Sequence, residues 1–210
     1  MSESKVVFPS ADLKLEGLIA PPERDGAGAA VVCHPHPMYG GSMFNNVVEA
    51  VLDALWQRGF ATLRFNFRGV EGSDGEYDGG EGETDDARAA ATFLAGQAGA
   101  KSVILAGYSF GASVAVRAGL ADPIVSSVIA VALPVGVMNI DVVQGGSKPV
   151  LLVSGDHDSY SPLEPLRSFA EQLGSRARLE VVPGADHFFG GYEQRLSEIV
   201  ADALTDAGRP

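Results

Sequence analysis

Apolar residues in this chain gather in short unbroken runs, separated by longer stretches in which apolar positions return every three or four residues. The runs Ala29 to Cys33, Ala61 to Phe65, Ser102 to Ala106, Ser127 to Ala132 and Val150 to Ser154 lack a regular polar alternation. That is the pattern of strands buried on both faces of a parallel sheet. A further strand is expected over Arg178 to Val182. The intervening stretches predict helices over about Asn46 to Gln57, Thr84 to Gln97, Ala112 to Ala121, Leu163 to Leu173 and Tyr192 to Leu204. Gly59 and Gly99 stand where helices end. Ahead of all these, Lys5 to Phe8 and Leu13 to Ile19 read as strands of another kind. Leu13, Leu15 and Gly17 alternate with Lys14 and Glu16, as in an antiparallel edge pair with one wet face, and Pro21-Pro22 ends the pair. The alternation of strand and helix predicts an α/β fold with a mostly parallel, doubly wound sheet of about eight strands.

Length and composition sharpen this picture. At 210 residues the chain has room for one substantial core. Residues 1–210 are expected to form one domain, with no separate cap domain. Hydrophobic residues at 46% and charged residues at 20% predict a chain that folds on its own. The formal net charge of -12 disfavours phosphate backbones and anionic headgroups, so neither nucleic acid nor a membrane is an expected partner. A single cysteine, Cys33, cannot form an internal disulfide and fits a reducing compartment such as the cytoplasm. Met1 to Ser10 has no apolar stretch behind a basic start and no uncharged apolar run elsewhere approaches roughly 18 residues, so neither an export signal nor a membrane span is expected.

Two connections exceed what linking needs, Asn66 to Glu83 and Pro134 to Lys148, and long loops in compact domains often carry function. The chemistry points to the same end of the sheet. Gly107-Tyr108-Ser109-Phe110-Gly111 has the Gly-x-Ser-x-Gly form. With 26 glycines in the chain that match alone means little. Its context means more, because a buried strand runs directly into it and a small-residue helix leaves it. A sharp turn of that kind strains the serine backbone and aims its hydroxyl above the sheet. The plainer alternative is that Ser109 only caps the helix.

A serine hydroxyl becomes a nucleophile when an imidazole removes its proton and a carboxylate orients that imidazole. His187 follows the last expected strand, and Asp156 and Asp158 follow Val150 to Ser154. All lie beyond the carboxyl ends of parallel strands, where open α/β sheets bind ligands. Asp186, beside His187, reads as a turn residue. A developing oxyanion needs two fixed N–H donors. The amide after the nucleophile, Phe110, is one candidate. The other belongs to the loop after Ala29 to Cys33, where Pro35 and Pro37 have no N–H and only His36 or Met38 can donate.

The order Ser, Asp, His, together with His34-Pro35-His36-Pro37-Met38-Tyr39-Gly40-Gly41 and Asn66-Phe67-Arg68-Gly69, resembles the α/β-hydrolase superfamily. Within it, the chain is similar to a bacterial group of serine hydrolases and esterases, over nearly its whole length. The resemblance implies a triad of Ser109, Asp158 and His187, with Asp158 preferred to Asp156 because the acid stands three residues after the glycine that ends the strand. It implies His36 as the second oxyanion donor, a structural role for Arg68, and no cofactor or metal. Glu71 stands where the family has a second glycine, which puts the local shape of that loop in doubt.

The expected reaction is hydrolysis of small or short-chain carboxylic esters through an acyl-enzyme. Met38, Tyr39, Tyr108, Phe110, Val135, Met138, Phe188 and Phe189 are candidate wall residues, with Met38, Tyr39, Tyr108 and Phe188 foremost as substrate contacts. Thioesterase, lysophospholipase and peptidase chemistry would use the same machinery. The competing readings are a metal site built from His34, His36, Asp156, His157, Asp158 and His187, a thiol nucleophile at Cys33, and a non-catalytic binding protein. Ser73, between a glycine and Asp74, reads as a turn. The substrate's identity and the oligomeric state, a homo-oligomer included, are left open.

Overall fold

The computed structural model describes residues 1–22, 28–138, 140 and 147–207. Among these residues eight strands form one sheet: β1 (Ser4–Ser10), β2 (Leu13–Ala20), β3 (Ala29–Cys33), β4 (Ala61–Phe65), β5 (Val103–Tyr108), β6 (Val125–Val131), β7 (Val150–Gly155) and β8 (Ala177–Val182). Their spatial order is β1-β2-β4-β3-β5-β6-β7-β8. β1 pairs antiparallel with β2 and β2 antiparallel with β4, and every other pairing is parallel.

Among the described residues, five α-helices cover the two faces: α1 (Asn46–Gln57), α2 (Glu81–Ala98), α3 (Phe110–Ala121), α4 (Leu163–Leu173) and α5 (Glu193–Ala207). The two-residue period of a strand divides the core between them. Val31, Cys33, Leu63 and Leu105 turn to the side packed by α2, α3 and α4. Ala30, Val32, Ile104 and Ala106 turn to the side packed by α1 and α5. Strands buried on both faces have no use for polar alternation, which explains the unbroken apolar runs.

α2 begins at Glu81, three residues before its expected start. The buried Glu83 carboxylate accepts from the amides of Gly80 and Asp78 at 2.7 and 2.9 Å. This is one half of a capping box, and it starts the helix inside a glycine- and acid-rich segment that reads locally as loop. Of the loop expected over 134–148, residues 139 and 141–146 lie outside the described residues. Among the described residues no helix is long and apolar enough to cross a membrane.

β3 is flanked by β4 on one side and β5 on the other. The chain therefore leaves β3 in one direction along the sheet and returns past it to form β5. At such a reversal the loops beyond the carboxyl ends part and open a crevice. Cys33 at the end of β3 is in register with Gly107 near the end of β5, so the loop after β3 and the turn after β5 share one rim.

Candidate active site

Ser109 sits at φ 54°, ψ −119° between β5 and α3. This left-handed conformation costs a non-glycine residue on the order of 1–3 kcal/mol and persists only where the surroundings enforce it. The flanking glycines are what allow it. A Cβ on Gly107 would lie 2.1 Å from the Gly111 carbonyl oxygen, and one on Gly111 would lie 2.4 Å from the carbonyl oxygens of both Cys33 and His34. Helix, strand and the neighbouring β3 terminus thus approach more closely than any side chain permits.

Two other loops converge on the hydroxyl. Ser109 Oγ is 2.9 Å from His187 Nε2, and His187 Nδ1 is 2.8 Å from Asp158 Oδ2. The loops after β7 and β8 are tied together by backbone contacts: His157 N–H donates to the Ala185 carbonyl at 3.0 Å, and Gly184 N–H to Asp156 Oδ1 at 2.6 Å. A Cβ on Gly155 would meet the Ala185 carbonyl at 2.0 Å, so this approach also requires glycine. The two candidate acids therefore separate. Asp156 ties the loops. Asp158 is buried, faces the imidazole with one oxygen, and with the other accepts from the Tyr160 and Ser161 amides at 2.8 and 2.9 Å. Asp186 accepts from the Phe188 amide at 2.9 Å, the turn arrangement expected of it.

Tyr108 adds a support that the sequence reading did not assign. Its buried phenol donates to the His187 carbonyl at 3.0 Å. Burial, then the charges of Asp158 and Asp186, push the phenol pKa up, which keeps it a donor.

The loop after β3 is held by His34, which is fully buried. Its Nε2 accepts from the Phe67 amide at 3.0 Å, so Nδ1 carries the proton and donates to the Pro35 carbonyl at 2.6 Å. Burial lowers this imidazole to about 4, against a partial upward pull from the Pro35 carbonyl. His36 caps the following 3₁₀ turn, Pro37–Tyr39, by accepting from the Met38 amide at 3.2 Å. That contact engages the Met38 N–H. Among the described residues, no backbone carbonyl accepts from the amides of His36 or Phe110.

An open cleft of about 880 Å³ lies over Ser109. Of the expected wall residues, Tyr39, Tyr108, Phe110, Met138 and Phe188 line it, together with His187. Three expected wall residues do not. Met38 points outward, 68% exposed, because the 3₁₀ turn rotates it away from the cleft. Val135 packs against the core on the α3 side, and Phe189 is fully buried beneath α1 and α5. Val137, which was not expected, faces the cleft. Tyr77 and Tyr160, which the sequence reading missed, also line it. Tyr77 and the fully buried Phe67 are the two aromatics of the loop between β4 and α2, and an aromatic in so glycine- and acid-rich a loop is a signal that it packs against something. Tyr160 stands two residues past Asp158.

The motif after β4 supports the rim from behind. Arg68 grips the fully buried Asp86 through Nε and Nη2 at 2.9 and 2.8 Å, and Ser10 donates to the same carboxylate at 2.7 Å. The bidentate pair is structural. Asn66 accepts from the Met43 amide and donates to Glu16. Glu71 adopts φ 49°, taking the left-handed turn itself where a glycine was expected. Ser73 donates to the Asn66 carbonyl at 2.7 Å. Cys33 is fully buried, and burial pushes its thiol pKa up, away from the nucleophilic thiolate. Among the described residues, no three His, Cys, Asp or Glu side chains cluster as a metal site would require.

The surroundings of this site have counterparts elsewhere. Residues 30–146, more than half of the chain, match the model of a family described as the alpha/beta hydrolase family. An uncharacterized protein of Rickettsia prowazekii (strain Madrid E) is 31% identical over 209 residues, covering 95% of this chain and 88% of its own. Among solved structures, an alpha-beta serine hydrolase homologue from Coxiella burnetii is 34% identical, with a TM-score of 0.90 over 97% of this chain and 98% of that one. A protein from Xanthomonas campestris, described as a serine hydrolase without a lid, is 32% identical, with a TM-score of 0.89 over 100% of this chain and 98% of its own.

Proposed function

Because the chain belongs to the alpha/beta hydrolase family, we propose that it is a serine hydrolase that cleaves small carboxylic esters through Ser109, His187 and Asp158. The observation that carries this reading is the unbroken hydrogen-bonded chain from Ser109 Oγ through His187 to Asp158, at 2.9 and 2.8 Å, set on a strained turn at the floor of an open cleft.

The chemistry follows from the roles of each group. Asp158 holds His187 with Nδ1 protonated, which leaves Nε2 free to take the Ser109 proton as Oγ bonds to the ester carbonyl carbon. The imidazolium that forms faces the Asp158 carboxylate, so the new charge is compensated. The carbonyl oxygen becomes an oxyanion held by the amides of Phe110 and His36. As the carbon–oxygen bond to the alcohol breaks, His187 returns the proton to the leaving oxygen. Water then adds to the acyl-enzyme by the same route, and the net change is ester plus water to acid plus alcohol. Each oxyanion donor contributes on the order of 10²–10³-fold in related chemistry. The two prolines around His36 hold its amide in place before substrate arrives, which lowers the cost of ordering it. No metal or cofactor enters this scheme.

Hydrolysis of a short-chain p-nitrophenyl ester by wild type and by Ser109→Ala, with and without a chelator, tests the reading. The expected result is a loss of several orders of magnitude on substitution and no effect of the chelator. Activity that persists in Ser109→Ala, or that the chelator abolishes, contradicts it.

A further inference from the structure

The cleft over Ser109 is sided. On one flank the rings of Tyr39, Tyr77 and Phe110 surround His36, at centroid distances of 4.7, 4.8 and 4.9 Å. On the other, Tyr160 and Phe188 flank His187 at 4.7 and 5.6 Å. Several of these rings reach solvent: Tyr39 is 87%, Phe188 60% and Tyr160 46% exposed. Exposed aromatics gathered on both walls of a concavity mark a place where a ligand covers them.

The same lining lacks charge. Among the described residues that line the cleft there is no Asp, Glu, Lys or Arg. The fixed charges felt inside are mainly negative: Glu83 at His36 and Tyr77, Asp158 and Asp186 at Tyr108. Arg117 is felt at Tyr77, and its guanidinium stands at Gly80 rather than in the lining. An anionic substrate would surrender hydration with no cation among the described lining residues to replace it.

Resting on the serine-hydrolase reading above, we infer that the substrate is an uncharged ester carrying an aromatic ring on its acyl side. Coenzyme A thioesters, phospholipids and other anionic esters are thereby disfavoured. The orientation follows from the proposed chemistry. The leaving alcohol receives its proton from His187 and so lies toward Tyr160 and Phe188. The acyl group then lies toward the cluster of Tyr39, Tyr77 and His36, where a planar ring can stack or meet edges.

Three methyl esters of matched length separate the contributions: phenylpropanoate, cyclohexylpropanoate of the same bulk without aromaticity, and phenylpropanoate bearing a para-carboxylate. Ring–ring contact of about 0.5–1.5 kcal/mol corresponds to an expected preference of about fivefold in kcat/KM for phenyl over cyclohexyl. The para-carboxylate should fall at least about tenfold below its neutral parent. Tyr39→Ala should lower the phenyl-to-cyclohexyl ratio by about twofold or more. Equal or better turnover of the cyclohexyl ester, undiminished turnover of the carboxylate, or an unchanged ratio in Tyr39→Ala overturns the inference while leaving the hydrolase reading intact, provided that Ser109→Ala is inactive on the series. If none of the three esters is hydrolysed, or if Ser109→Ala retains activity, both readings fall together.

Discussion

Two histidines on one rim, His34 and His187, are both buried and both have each ring nitrogen hydrogen-bonded. They are built for opposite purposes, and their partners tell them apart. His34 lies between a backbone N–H and a backbone carbonyl, groups that neither give up nor take a proton, so its neutral form is fixed and the ring acts as a brace for the 34–41 loop. His187 lies between a hydroxyl and a carboxylate, one able to lose a proton and the other to balance the charge that results. Burial alone therefore says little about a histidine. The chemical type of the groups at its two nitrogens says most of what matters.

The contrast is sharpest when each ring is removed. His187→Ala should reduce kcat on a neutral ester by about 10⁴-fold or more, with little change in the denaturant midpoint. His34→Ala should instead lower unfolding stability by about 2–4 kcal/mol, because it leaves a cavity and strips the buried Phe67 N–H of its acceptor. Steady-state kinetics beside urea unfolding reads both. Equal losses of activity and stability in the two variants would erase the distinction.

The neighbouring acids offer the next test. Asp158→Asn should keep the loop contacts to Tyr160 and Ser161 but present an N–H donor to His187, favouring the wrong tautomer, with a fall of about 10³–10⁴-fold in kcat and little change in KM. Asp156→Asn, whose partner is the Gly184 amide, should cost no more than about threefold. A reversed order would assign the orienting role to Asp156.

A smaller effect is carried by pH. Folded His34 titrates at about 4, below its ordinary 6.5. Between those values the unfolded chain binds a proton that the folded chain does not. Stability contributed by the neutral ring is therefore fully present above about 6.5 and is lost as pH falls toward 4, by about 3 kcal/mol in total. The difference in unfolding free energy between wild type and His34→Gln, followed over that window, should shrink as pH falls. A difference independent of pH would mean that the ring is not held neutral. Smallest of all, Met38→Ala should change kcat/KM by less than about twofold, since the side chain turns away from the cleft.

The residues that could be read from the sequence are those whose roles are written in local order. Unbroken apolar runs marked the two-faced strands, and the run Ser102 to Ala106 leading into Gly107-Tyr108-Ser109 and then a small-residue helix marked the turn. Residues placed by tertiary contacts were harder to read. Tyr77 and Tyr160 lie in loops whose course is set by Glu83 capping α2 and by Asp158 gathering the amides of Tyr160 and Ser161. No periodicity announces either. Met38 was misplaced for a related reason: adjacency to His36 suggested the cleft, but the cap from His36 Nδ1 to the Met38 amide starts a 3₁₀ turn that rotates the side chain outward. The choice between Asp156 and Asp158 came from family resemblance alone. What separates them in space is the pairing of Gly184 with Asp156, a contact 28 residues apart in sequence.

A nucleophile at Ser109 can be captured covalently. An uncharged aryl fluorophosphonate followed by peptide mapping should give one adduct per chain, on Ser109, formed far more slowly in His187→Ala. Rapid stoichiometric labelling of another residue, or no adduct on Ser109 in protein that hydrolyses esters, would mean that Ser109 is not the nucleophile.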